Sequence, residues 1–151
     1  MGKIQDMINH LKGFTPMKQV DDIAKIVMSH EETIVDMNRD QMLLGEDSEG
    51  GIIGRYSNPV YEAFKESINP KAGGNVDLRL SGSFQREMFL KGTSFPFTTD
   101  STDSKRNKLI DGDGYGENVF GVNKPNKEIL RHEVLKEDIQ EYYKGTVLHI
   151  R

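Results

Sequence analysis

The stretch VDDIAKIVMSHEETIVDMNRDQMLL, residues 20–44, decides the fold class. Val20, Ile23, Val27, His30, Ile34, Met37, Gln41 and Leu44 recur at alternating three- and four-residue steps, which stacks side chains along one side of an α-helix. Ala24, Met28, Val35 and Met42 widen that stripe to the breadth of a core-facing surface. Thr15 before Pro16 supplies an N-cap followed by a first-turn proline, and Gly45 supplies a stop. Residues 17–44 are therefore expected to form one helix about 40 Å long, at about 1.5 Å rise per residue.

Upstream, Ile4, Met7, Ile8 and Leu11 share the same spacing and end at Gly13, giving a short helical arm over about residues 1–13. Downstream, residues 46–54 read as a loop. Asn58-Pro59 opens a short helix with Val60, Phe64 and Ile68 on one side, and Asn69-Pro70 closes it. Val76, Leu78 and Leu80 alternate with polar residues, as do Phe95, Phe97 and Thr99, so both stretches are expected as strands. A hairpin is expected over residues 84–99, with Pro96 marking an edge strand. Asp103 is expected to cap a helix over residues 104–110, and Val119 to Val122 to form a short extended piece. Pro125 is expected to open a helix that runs to Tyr143 and breaks at Gly145, before a terminal strand over residues 146–150. The fold expected is α+β: a long helix packed on a small, mostly antiparallel sheet, with additional short helices, in a single domain spanning residues 1–151.

Composition narrows the function classes. Charged residues make up 29% and hydrophobic residues 35% of the 151, a polar balance that suits exposed elements or faces covered by neighbours. The net charge of −4 and the lack of a long basic block argue against sequence-specific nucleic-acid binding. No cysteine is present, so disulfides, thiolate catalysis and cysteine zinc sites are excluded. The first twelve residues hold no continuous apolar run, so neither a signal peptide nor a membrane segment is expected there.

No motif specifies chemistry. Asp111-Gly-Asp113-Gly-Tyr115-Gly116 begins like a calcium loop, but position 5 is Tyr115 and position 12 is Val122, so it reads as a glycine turn. Asp47, Glu49 and their glycines fail in the same way. His10, His30, His132 and His149 lack the i, i+4 pairing of a helical zinc site, and His30 reads as a core or interface histidine. Ser81-Gly-Ser83-Phe84 is not a nucleophile elbow, and no phosphate-binding glycine loop follows a strand. Lys105-Arg106-Asn107-Lys108, flanked by Asp100, Asp103, Asp111 and Asp113, reads as a charge-complementary surface. No catalytic residue, metal ligand or cofactor is expected.

Three stretches carry a resemblance. They are Asn38-Arg-Asp-Gln-Met-Leu-Leu-Gly45 leading to Gly54-Arg-Tyr-Ser57 and Tyr61-Glu-Ala-Phe-Lys65; Val76-Asp-Leu-Arg-Leu-Ser-Gly-Ser-Phe84; and Asp103-Ser-Lys105 leading to Tyr115-Gly116 and Phe120-Gly121. Their order resembles a family of small virion structural proteins of tailed phages and prophages of Bacteroidetes, including crAss-like phages. The middle stretch is similar to neck and tail-completion proteins. The likeness covers roughly residues 36–122 and its motifs are short. It implies a non-enzymatic subunit of a homo-oligomeric ring at the head–tail junction, assembled in the host cytoplasm, resident in the virion, and in contact with neck, portal-proximal or tail proteins. The expected interface residues are Val27, Ile34, Phe84, Phe89, Phe95, Phe97, Tyr115 and Phe120. Two other functions remain open: a small metal-dependent phage enzyme or ligand-binding module built on the 100–113 acidic cluster, and a packaged virion cargo or adaptor protein.

Overall fold

Thr15 and Pro16 start a helix where the sequence places one. In the computed structural model, which describes residues 2–148, α1 (Gly2–Gly13) is followed by α2 (Pro16–Ser29), capped by the Thr15 hydroxyl accepting the Lys18 N–H at 3.1 Å. The long helix is interrupted. His30 adopts φ −103°, ψ 22°, and α3 (Glu31–Leu43) starts after it with Glu31 and Glu32 in its first turn, where acidic side chains suit the helix dipole. The 3–4 spacing continues through this break because a single residue leaves the helix. The bend lets two packings coexist, since α2 lies against the C-terminal helix while α3 lies on the sheet.

Helix α3 divides the interior. One side sends Val35 and Met42 into a cluster with Ile53, Val76, Phe84, Met88, Val119 and Phe120. The other sends Ile34 and Met37 into a second cluster with Val27, Val122, Leu135 and Phe97. Between these apolar faces runs a buried polar spine. Asn38 Nδ2 donates to Val119 O at 2.9 Å, and Asn38 Oδ1 accepts from Gly121 N at 3.0 Å and from the Thr99 hydroxyl. One turn on, Gln41 Nε2 donates to Gly121 O at 3.0 Å, and its Oε1 accepts from Asn123 N and Asn126 Nδ2, each at 2.8 Å. Gly121 has φ +110°, which costs a side chain dearly, and a Cβ there would come within 3.3 Å of Ser48 Cβ.

The sheet is one antiparallel pair, β1 (Met88–Lys91) and β2 (Thr98–Ser101), with Met88 opposite Ser101 and Leu90 opposite Thr99. The fold is α+β, with helices around this small sheet. The hairpin expected over 84–99 is present but shifted: Ser83–Arg86 forms a helical turn, α5, and Phe95 and Pro96 lie in the connecting turn rather than in a strand.

Residues 76–81 do not form a strand. Val76, Asp77 and Leu78 are buried in succession, and Leu78 takes a left-handed φ of +58°. The sequence alternation misleads because Asp77 is buried by an ion pair. Its carboxylate lies 2.8 Å from Lys65 Nζ and accepts from Asn69 Nδ2 and Arg79 N, each at 2.9 Å.

Lys65 belongs to α4 (Pro59–Ile68), capped as expected by Asn58. Asp103 does accept the Lys105 N–H at 2.7 Å, but the helix expected over 104–110 becomes a wide π-type turn, Lys108–Gly112. The extended piece expected at 119–122 begins as a short 3-10 turn, Glu117–Val119. The C-terminal helix is divided into α6 (Lys124–Ile129), a π turn (Leu130–Val134) and α7 (Lys136–Leu148). It continues past Gly145, so residues 146–148 are helical rather than strand. The rest of that expected strand, with His149, lies outside the described residues, as does the side chain of His10.

Candidate assembly surface and adjoining clefts

Helix α4 faces the wrong way for a helix whose apolar stripe makes a core. Val60, Phe64 and Ile68 recur every fourth residue, so they line one side. That side is open: the three are 79%, 50% and 55% exposed. What α4 turns inward is Lys65, buried against Asp77 and donating also to Arg79 O. This inversion is held by a charge pair, and it leaves an apolar ridge flanked by the small, uncharged Ala63 and Ser67.

A concave counterpart lies elsewhere. A groove of about 570 Å³ runs between α2, α3, the hairpin turn and the α6–α7 region. Val27 and Ile34 form its floor, Leu130 and Phe97 its walls, and Phe95 stands 49% exposed on its rim with its ring 5.0 Å from Phe97 in an edge-on arrangement. The Gly121–Val122 segment, fixed by the Asn38–Gln41 spine, completes the floor. No α4 residue lines it. Arm helix α1 adds further exposed apolar surface through Ile4 and Ile8.

Of the residues expected at an interface, the structure brings together Val27, Ile34, Phe95 and Phe97 in this groove. Phe84 and Phe120 are buried in the first cluster with ring centroids 5.9 Å apart, so they hold the protein's own interior. Phe89 is half-buried on β1, opposite Asp100. Tyr115 is half-buried in a separate cleft, where a Cβ on Gly54 would approach its ring to 3.0 Å. Spacing located the α4 stripe but is silent on which way it points. No sequence signal marks Val60, Phe64 and Ile68 as external.

The acidic cluster does not converge. Asp100 receives Arg106 Nε at 2.6 Å and Lys91 Nζ at 3.3 Å. Burial pushes the Asp100 carboxyl up, but Arg106, the Ser101 N–H and Lys91 outweigh it and hold it below the ordinary carboxylate range. Arg106 also binds Glu117 at 2.9 Å and lies 5.2 Å from the Phe120 ring centre. Asp103, held low by the Ser83 hydroxyl and the Lys105 N–H, caps its turn, while Asp111 and Asp113 are exposed. Asp47 spends its carboxylate on the N–H groups of Glu49 and Gly51, each at 2.9 Å. Among the described residues no three histidine, aspartate or glutamate side chains gather as a metal site. His30 binds Asp138 on α7 and stays half-buried, and His132 pairs with Glu128 on the surface.

Two clefts flank the 78–83 loop. One, about 550 Å³, contains Arg39, Arg79, Gln85 and Arg86; the other, about 300 Å³, contains Tyr56, Tyr61 and Tyr115 with Lys105 and Lys108. They share Arg79 and Gly82. Burial pushes the Tyr115 hydroxyl above its ordinary pKa, as it does for Tyr56, where the Asp77 charge adds to the effect.

Comparison with family models, curated proteins and solved structures finds no match to this chain. Among the described residues no helix is long and apolar enough to cross a membrane.

Proposed function

We propose that this protein is a non-enzymatic structural subunit that assembles head-to-tail into a homo-oligomeric ring, the α4 ridge of one copy seating in the groove of the next. The observation that carries this reading is the pairing, within one chain, of an exposed apolar ridge and an apolar groove that share no residue. Surfaces that differ and complement one another give heterologous contacts, which close into a ring when the rotation per subunit permits. The ridge carries no charge, and the two cations that line the groove, Lys127 and Arg131, are exposed, so they can stay solvated at its edge.

The sequence resemblance supports reading such a ring as part of a tailed-phage virion, a neck, head–tail connector or tail-completion subunit contacting portal-proximal or tail proteins. Light scattering coupled to size exclusion tests the assembly claim. A discrete oligomer whose population grows with protein concentration is expected, and a strict monomer at high micromolar concentration overturns it. The virion assignment is tested by mass spectrometry of purified particles, in which the chain must appear at a fixed multiple of the portal.

A further inference from the structure

The loop between the two clefts holds two guanidinium groups over one glycine. A methyl group placed on Gly82 would sit 3.3 Å from Arg86 NH1 and 3.7 Å from Arg79 Nε, so the two cations approach each other closely. Neither forms a salt bridge among the described residues. Arg86 NH1 donates to Ser81 O at 3.1 Å, and Arg79 contributes its backbone, not its side chain, to the Lys65–Asp77 pair. The neighbouring carboxylates are committed elsewhere. Asp77 faces Lys65, Asp103 serves its own turn and the Ser83 hydroxyl and offsets Arg86 only through space, and the exposed Asp40 remains on the wall. Arg39, on the same wall, is occupied by Glu32 and Asp36. Like charges held together with no direct ion pair repel, and an anion between them relieves that cost. The same wall holds Gln85, whose Oε1 is buried without a hydrogen-bond partner. A buried acceptor left unpaired calls for a donor. Two donor forks plus one acceptor match a phosphate that retains a proton better than they match a carboxylate, which offers only acceptors.

We propose that Arg79, Arg86 and Gln85 form a phosphate-binding site over Gly82, and that the tyrosine-lined cleft beyond Arg79 receives the ring to which that phosphate is attached. The ligand class is an aryl or heteroaryl phosphomonoester. Tyr56 and Tyr61 lie edge-on with centroids 5.1 Å apart, and Val76 and Leu109 give the cleft an apolar wall. This inference is independent of ring assembly, and its test does not read oligomer size.

The test is calorimetric and NMR titration with inorganic phosphate, phenyl phosphate and benzoate. Saturable binding is expected for both phosphates, with phenyl phosphate about fivefold tighter through ring contact. Arg79→Ala and Arg86→Ala should each weaken both by about tenfold, the loss of one charge-assisted hydrogen bond. Because the Arg79 side chain is exposed, its variant should keep the wild-type unfolding midpoint. Tyr61→Ala should erase the preference for phenyl phosphate and leave inorganic phosphate binding intact. Absence of saturable phosphate binding, or unchanged affinity in both arginine variants, overturns the site. Equal affinity for the two phosphates overturns the ring cleft, and tighter binding of benzoate overturns the choice of phosphate.

Discussion

Two single-residue variants separate a ridge-in-groove contact from a ridge-to-ridge one. In Phe64→Lys the ridge carries a positive charge and the groove is intact; in Phe95→Lys the rim of the groove, which Lys127 and Arg131 also line, carries the charge and the ridge is intact. Both positions are about half exposed, at 50% and 49%, and each ring packs on a neighbouring aromatic, so each change should cost folding about 1–2 kcal/mol, which leaves the protein folded. The larger cost falls on association. Fully burying a side chain of this class contributes about 1.5–3 kcal/mol, so the exposed portions of Val60, Phe64 and Ile68 together are worth on the order of 4 kcal/mol. Phe64→Lys removes about a quarter to a third of that and brings an ammonium group against the apolar floor of a groove that already carries Lys127 and Arg131, at a further cost of at least ~2 kcal/mol. Affinity should fall more than about a hundredfold.

Each variant alone should run as a monomer in light scattering at concentrations where the wild type assembles. Mixed in equal amounts, the two should form a heterodimer and stop there. The intact ridge of Phe95→Lys enters the intact groove of Phe64→Lys, and both remaining surfaces carry like charge and are blocked. A symmetric contact between two α4 ridges would instead leave Phe95→Lys assembling normally and give no complementation, and that result would refute the reasoning.

Asn38→Leu should destabilise the protein by about 3 kcal/mol, read as a lower urea midpoint, because Val119 O loses its donor, the Thr99 hydroxyl loses its acceptor and Gly121 N keeps Thr99 alone. Lys65→Met should cost about 3–5 kcal/mol by leaving Asp77 charged, buried and unpaired; adding Asp77→Asn should recover part of the loss, and a neutral Lys65→Met would show that the pair does not hold α4 in place. Stability should also fall in acid. Asp100 and Asp103 are held low in the folded state, so their contribution is complete above the unfolded carboxylate pKa of about 4 and is lost as pH drops through the lower folded values. Urea midpoints measured at neutral pH and across the acid range should show this slope, and Asp100→Asn should flatten it.

Local rules carried far where local chemistry decided the outcome. Thr15-Pro16 and Asn58-Pro59 start helices because a side-chain acceptor and a pre-set φ act within one turn. The α+β class, the hairpin and the packing of α3 on β1 were likewise within reach of pattern. Periodicity failed where a distant residue changed what a position means. Asp77 looked like the outward residue of a strand until Lys65 buried it, and that pair also turned α4 around. His30 occupied a seam position while leaving the helix to reach Asp138. The groove was half legible: Val27, Ile34, Phe95 and Phe97 were expected at an interface, but nothing local distinguished them from Phe84 and Phe120, which the fold keeps inside. Arg79 and Arg86 gave no signal, because their meeting over Gly82 depends on the left-handed turn at Leu78 and the helical turn that follows.

The two-sided grip on Gly121 has a thermodynamic consequence for whatever occupies the groove. Its amide is held by Asn38 and its carbonyl by Gln41, so the floor already has its final shape before contact. An incoming surface need not pay to order that backbone, and more of the contact free energy survives as binding strength.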